Sequence, residues 1–272
     1  MLDRNLGKPS ADLVTKTAKG VVVINASRNN APVKFKELNV TIRGAINGGA
    51  KRIVLENVTG QRYIAATASK DDLYIEIHGT PGNDLGAFLD GPTIEVFGNA
   101  QDMMGNTMNS GKIIVHGNAW DVTGLAARGG KMFIQGNSGY RVGIHMKEYG
   151  SARPTLVIGG TAKDYLGEYM AGGTVLVLGL GHESEESPVG INIGAGIHGG
   201  RIFVRGRVAK EQLGAGAIIS DLTDEDRAEI DLLVTEYSSY FKVEKEINWK
   251  EFTKIVPASS RPFQGKYDKT NI

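Results

Sequence analysis

Ile75-Glu-Ile-His-Gly79, Ile94-Glu-Val-Phe-Gly98, Ile113-Ile-Val-His-Gly117 and Met132-Phe-Ile-Gln-Gly136 are one phrase written four times, with the closing glycines 19 residues apart. The phrase returns at Leu156–Gly160, Val175–Gly179 and Ile202–Gly206. Fixed-period self-similarity governs the fold of a whole chain, so every other feature is read against it. The two aliphatic residues of each phrase are one residue apart, which is strand spacing and points both to one face. In most units a second glycine follows seven residues after the first, at Gly86, Gly105, Gly124, Gly143 and Gly167. Glycines at fixed offsets mark corners where the backbone turns without a Cβ.

A unit of 19 residues with several corners is too short for a strand plus a helix and suits one coil of a β-solenoid. A leucine-rich repeat would show Leu-x-x-Leu-x-Leu with Asn or Cys in each unit, and that ladder is absent. A left-handed hexapeptide helix needs coils in multiples of six, which 19 is not. The expected fold is therefore mainly β, a parallel β-helix of about seven coils stacked at roughly 4.8 Å, a rod of about 34 Å. Its core consists of columns of equivalent positions. Two units are longer, running 24 and 27 residues. Their extra residues, Lys147–Ser151 and the acidic His182–Glu186, are expected as loops off the coil.

Residues 1–72 read as an N-terminal segment. Val21–Ile24 has strand character, Phe35–Ala50 has helical spacing and stops at Gly48-Gly49, and Ile53-Val54-Leu55 opens a degenerate coil that caps the solenoid. The β-helix itself occupies 73–216. Residues 217–272 hold a helix, with Thr223 as cap and Ile230, Leu233, Val234, Tyr237 and Phe241 on one face, followed by an extended strap from Trp249 to Gln264. One outward column changes from acid to apolar, reading Glu76, Glu95, Ile114, Phe133, Val157, Leu176 and Phe203. An apolar stripe is rarely left wet, so the helix at 224–240, the strap, or a partner subunit is expected to cover it.

The 272 residues carry a net charge of +1, which gives no reason to expect nucleic acid or an anionic membrane as partner. No apolar run is long enough to span a bilayer and no basic-then-apolar leader is present, so the expectation is a cytoplasmic protein. In that setting the glycosylation patterns at Asn39 and Asn57 are chance matches. Zero cysteines exclude disulfides, thiolate metal sites, cysteine-ligated iron–sulfur clusters and a Cys nucleophile.

Candidate chemistry is sparse. Gly179-Leu180-Gly181 resembles the start of a dinucleotide fingerprint, but its first glycine is the repeat's own corner and an acidic loop follows where phosphate would sit. Gly124 to Lys131 approaches a phosphate loop, yet Met132 stands where a hydroxyl should hold the metal. His182 with Glu183, Glu185 and Glu186 reads as a solvated loop rather than a metal site, since no second histidine is near. His78 and His116 precede closing glycines, while His145 and His198 fall late in their coils. Solenoid columns account for all four, with a side-by-side pair on adjacent coils left open. Met108, Met146 and Met170 share a repeat position and read as a core column. Asp102, Asp121 and Asp164 share another, where stacked acids cap backbone N–H groups more often than they do acid/base work. No catalytic, cofactor-binding or metal residue is singled out.

Taken together, Gly136-Asn-Ser-Gly-Tyr-Arg-Val-Gly143, Gly167-Glu-Tyr-Met-Ala-Gly-Gly173, Asn99–Gly105, Ile75–Gly91 and the tail Phe252–Pro257 resemble the GXGXG β-helix domain, from about Phe35 onward. That domain forms the C-terminal part of the glutamate synthase large subunit and also occurs in one of the subunits of formylmethanofuran dehydrogenase. The resemblance implies a right-handed helix with no catalytic residues or cofactor of its own. It would hold an amidotransferase part and an FMN-containing synthase part in fixed relation around an ammonia tunnel. This sequence includes neither of those parts, so it resembles a free-standing form of the one domain. The leading expectation is a non-catalytic subunit of a split glutamate synthase-like, FMN-dependent complex. A β-helix component of a formylmethanofuran dehydrogenase-type complex and an independent β-helix enzyme are the alternatives, and a homo-oligomer is compatible with each.

Overall fold

The computed structural model describes residues 8–182, 187–243 and 248–259. Its strands, in chain order, are β1 (Val14–Ala18), β2 (Val21–Asn25), β3 (Ser27–Arg28), β4 (Ala31–Pro32), β5 (Arg52–Thr59), β6 (Tyr74–Thr80), β7 (Thr93–Phe97), β8 (Lys112–Val115), β9 (Lys131–Ile134), β10 (Thr155–Ile158), β11 (Ala171–Val177), β12 (Gly199–Arg205), β13 (Ala217–Ser220) and β14 (Phe252–Pro257). All but β3 and β4 form one sheet, in the order β1-β2-β5-β6-β7-β8-β9-β10-β11-β12-β14-β13. β3 and β4 pair with each other as a small separate hairpin beside β5.

The strands from β2 to β12 within that sheet pair in parallel. The repeat phrases coincide in register, so that Ile75, Ile94, Ile113, Met132, Leu156, Val175 and Ile202 lie in one column. The fold is thus the expected β-solenoid, with seven phrase strands making six full turns. Every member of that column is fully buried. So are Met108, Met146 and Met170, which form the expected core column.

Helix α1 spans Phe35–Asn47, slightly shorter than its apolar spacing suggests, and buries Leu38, Thr41 and Ile42 over the first layers. Val21–Ile24 falls within β2, and Ile53–Leu55 within β5, which adds the expected first coil. Helix α2 spans Asp224–Phe241 and begins with a reciprocal cap: the Thr223 side chain accepts from the Asp226 N–H while Asp226 accepts from the Thr223 N–H.

The outward column is covered from Ile114 onward. Ile114, Phe133, Val157, Leu176 and Phe203 form a second buried cluster with Ile230, Leu233, Val234, Tyr237 and Phe241 of α2. Each large side chain buried in this way contributes roughly 1.5–3 kcal/mol, so α2 is an integral layer of the fold. Charge anchors it as well. Glu236 takes Lys112 at 2.7 Å and Lys131 at 2.6 Å, and Thr174 donates to Glu229 at 2.7 Å.

The strap joins the end of the sheet, and only its first residues, Trp249 and Phe252, pack against the cluster on the outer face. β14 pairs antiparallel with β12 on one side and with β13 on the other, so it sits between two strands that precede it in sequence. Residues of the expected strap beyond Ser259 lie outside the described residues.

Candidate functional site

After each closing glycine the chain makes a second pass across the solenoid, and here the backbone alternates in hand. Residues at every other position are left-handed, in triplets such as Asp84/Gly86/Phe88, Met103/Gly105/Thr107, Val122/Gly124/Ala126, Arg141/Gly143/His145 and Tyr165/Gly167/Tyr169. The alternation sends N–H groups along the axis in both directions. Met103 and Thr107 donate forward to the carbonyls of Asp121 and Leu125, while Gly105 donates back to Leu85. Each coil therefore binds both neighbours without forming a strand.

The central member must be small for a reason of space rather than φ, since its flanking partners tolerate the same φ with side chains. A Cβ on Gly105 would lie 2.4 Å from Met132 Sδ, and one on Gly167 would lie 2.5 Å from Ile202 Cδ1. Several flanking members reach the surface and make this face, while Asp84 and Thr107 are buried. Phe88 and Tyr169 are each 50% exposed. His145 stacks on Tyr169 with centroids 5.3 Å apart, and the Arg141 guanidinium lies 4.6 Å over the Tyr165 ring while pairing with Glu168. Lower on the same face Asn106 donates to Asp84 at 2.9 Å. Such a surface of rings and satisfied ion pairs suits protein contact, and the groups on it are already engaged with one another.

The glycine spacing exposes only the middle residue of each triplet. The flanking residues vary from Asp to Phe to His and carry no local mark of a left-handed backbone. The segment Asn192-Ile193-Gly194-Ala195-Gly196, with glycine at two of its three left-handed positions, holds the clearest trace of the pattern.

The residues weighed from sequence have identifiable partners. Asp102 accepts from the Asp121 N–H at 3.2 Å, Asp121 from the Tyr140 N–H at 2.9 Å, and Asp164 from the Ile191 N–H at 3.0 Å. They form the expected ladder of backbone caps. A parallel ladder runs beside it: Asn99, Asn118 and Asn137 each accept from the backbone N–H one coil further on.

His78 and His116 belong to one column but are separated by Phe97, which stacks between them at 5.1 and 4.7 Å. Each is paired to a carboxylate, Glu76 at 2.6 Å and Glu95 at 2.7 Å respectively. Burial pulls the Glu76 carboxyl up, but hydrogen bonds from His78 and Arg52 outweigh it and leave the group below its usual range. His145 and His198 have different partners, Tyr169 for the first and the Gly196 carbonyl at 3.2 Å for the second.

Gly179 continues the repeat's corner, donating to the Gly160 carbonyl. Lys131, at the end of the near-phosphate-loop, is committed to Glu236. The acids of the 182–186 loop lie outside the described residues. Among the described residues no group of three or more metal-ligating side chains converges, and no helix is long and apolar enough to cross a membrane.

The model of the family described as the GXGXG motif matches residues 37–258, from α1 to the end of β14. An uncharacterized protein of Methanocaldococcus jannaschii is 49% identical over 254 residues, covering 90% of this chain and 96% of that protein.

Proposed function

The chain belongs to the GXGXG motif family, and on that premise we propose that it is a non-catalytic structural subunit of a split glutamate synthase-like, FMN-dependent complex. In this reading the rod fixes an amidotransferase partner and an FMN-containing synthase partner at a constant separation. The observation that carries the proposal is the family match across the whole solenoid, including the helix that covers its outer face.

Two physical features support it. A solenoid whose columns are fully buried and in register transmits position along its length with little compliance. Among the described residues, Asp102 and Asp121 are occupied as backbone caps and His78 and His116 stack on Phe97. A scaffold needs surfaces, and the left-handed face presents half-exposed rings.

The test is coexpression of the full chain with an FMN-containing synthase-type polypeptide and an amidotransferase polypeptide, followed by gel filtration. Coelution of all three supports the proposal. Elution of the chain alone, with the other two fully active together, overturns it and favours an independent activity.

A further inference from the structure

Backbone groups in a solenoid are satisfied from coil to coil, so the first coil of the left-handed pass has donors with nothing beneath them. In later coils the central N–H of the triplet donates back by one coil, from Gly86 to Ile64, Gly105 to Leu85, Gly124 to Met104, Gly143 to Thr123 and Gly167 to Val142. A second N–H, at the end of the pass, does the same from Asp90 to Ala68, Asn109 to Leu89 and Arg128 to Met108. The equivalent residues of the first coil are Ala65 and Ser69. Among the described residues neither N–H has an acceptor.

The level of the missing coil is taken by α1, whose backbone is bonded within the helix, so only its side chains can stand in. One of them does. Asn39 donates to the Arg62 carbonyl at 2.8 Å, the position at which the Asn83 and Asp102 carbonyls accept from the coil below them. Beside that contact, α1 and the turn at 65–69 enclose an open cavity of about 250 Å³. Ala65 and Ser69 line it together with Arg43, which is exposed and whose guanidinium has no ion pair or hydrogen bond among the described residues. Ile42, Ile46 and Ala68 supply an apolar part, and no carboxylate is in the lining.

We propose that this cavity binds a small organic monocarboxylate, its oxygens accepting from Arg43 and from the N–H groups that the missing coil leaves free, with its hydrocarbon part against Ile42 and Ile46. A guanidinium and free backbone donors, with no acid beside them, are the components of an oxyanion site. The apolar share of the lining favours an organic ion over an inorganic one. So does the Ala66 carbonyl, whose equivalent at Ala87 accepts from Thr67 in the coil below; it is directed toward the same side and disfavours a second negative charge. A polypeptide strand, the other way to replace a coil, is left no room by α1.

The test is titration of the ¹⁵N-labelled full chain with sodium butyrate at constant ionic strength, with butan-1-ol and sodium phosphate as comparison probes. Butyrate should give saturable shifts of the Ala65 and Ser69 amides, and butan-1-ol should not. Arg43→Met should weaken butyrate binding about tenfold or more, the loss of a charge-assisted hydrogen bond, and leave the urea midpoint unchanged, while Arg43→Lys should retain part of the affinity. No saturable shift at those amides, butyrate binding indifferent to Arg43→Met, or equal saturation by butan-1-ol overturns the proposal. Saturation of the same amides by phosphate but not by butyrate overturns the choice of a carboxylate.

Discussion

Alanine placed at the central glycine of three coils should give three different losses of stability, although the glycines are equivalent in sequence. Gly105, Gly124 and Gly167 have φ of +69°, +75° and +67°, so the conformational penalty of a Cβ is common to all, about 1–2 kcal/mol. Space is what separates them. At Gly124 the new Cβ finds Met132 Cε at 3.3 Å and Leu156 Cδ2 at 3.7 Å, close to ordinary contact, so little is added. At Gly105 it meets Met132 Sδ at 2.4 Å, and a flexible thioether must withdraw within a fully buried column. At Gly167 it meets Ile202 Cδ1 at 2.5 Å, and a β-branched side chain has fewer rotamers into which to retreat. Overpacking of this kind costs about 1–3 kcal/mol, with the stiffer neighbour at the upper end. Expected losses are therefore about 1–2 kcal/mol for Gly124→Ala, about 2–4 for Gly105→Ala and about 3–5 for Gly167→Ala. Urea unfolding followed by circular dichroism reads the order. The molecule contains its own control in Ala65, which occupies the central position of the first triplet at φ +57°. Equal midpoints for the three variants, or a larger loss at Gly124 than at Gly167, would refute the reasoning from space.

The remaining predictions concern the helix and the caps. Phe133→Ala should cost about 3–5 kcal/mol and raise hydrogen exchange throughout α2, because the ring lies beneath that helix; exchange confined to β9 would contradict the packing. Asp121→Asn should keep stability within a few tenths of a kcal/mol, whereas Asp121→Ala should lose about 1 kcal/mol, since only the acceptor for the Tyr140 N–H matters; equal losses would point to the charge instead. Burial raises the carboxyls of Asp226 and Glu236, but hydrogen bonds from Lys254 and the Thr223 N–H to the first, and from Lys112 and Lys131 to the second, leave both below their ordinary values. Groups depressed in the folded state stabilise it above about pH 4 and lose that contribution as pH falls through the folded pKa. Lys254→Met should therefore move the acid unfolding midpoint to higher pH, and an unchanged midpoint would count against the pair.

The phrase strands were legible because a buried column repeats its chemistry at each coil, as Ile75, Ile94 and Ile113 do. The cover on the outer face was legible for the same reason: the change from Glu95 to Ile114 to Phe133 reports what lies above the strand. Other features leave no local trace. The double glycine at Gly159-Gly160 is explained only by the fold, since a Cβ on Gly159 would fall 1.9 Å from the Tyr237 hydroxyl, which donates to the Gln135 carbonyl. The insertion of β14 between β12 and β13 is a pairing across about fifty residues, set by which edge is free rather than by any spacing. The left-handed triplets were half legible. Their centres are glycine, or alanine at Ala65, because of the core, whereas their flanks bear the backbone penalty with ordinary side chains that carry no local mark of it.

If this chain supplies fixed geometry rather than chemistry, as proposed, it should govern the coupling between two partner active sites. Glutamine hydrolysed and glutamate formed from 2-oxoglutarate would be counted together in a mixture of amidotransferase and FMN-containing synthase polypeptides, with and without the full chain. The two counts should become stoichiometric on addition of the chain, while the chain by itself turns over neither substrate. Coupling that is equally tight without it, or turnover by the purified chain alone, would contradict the account.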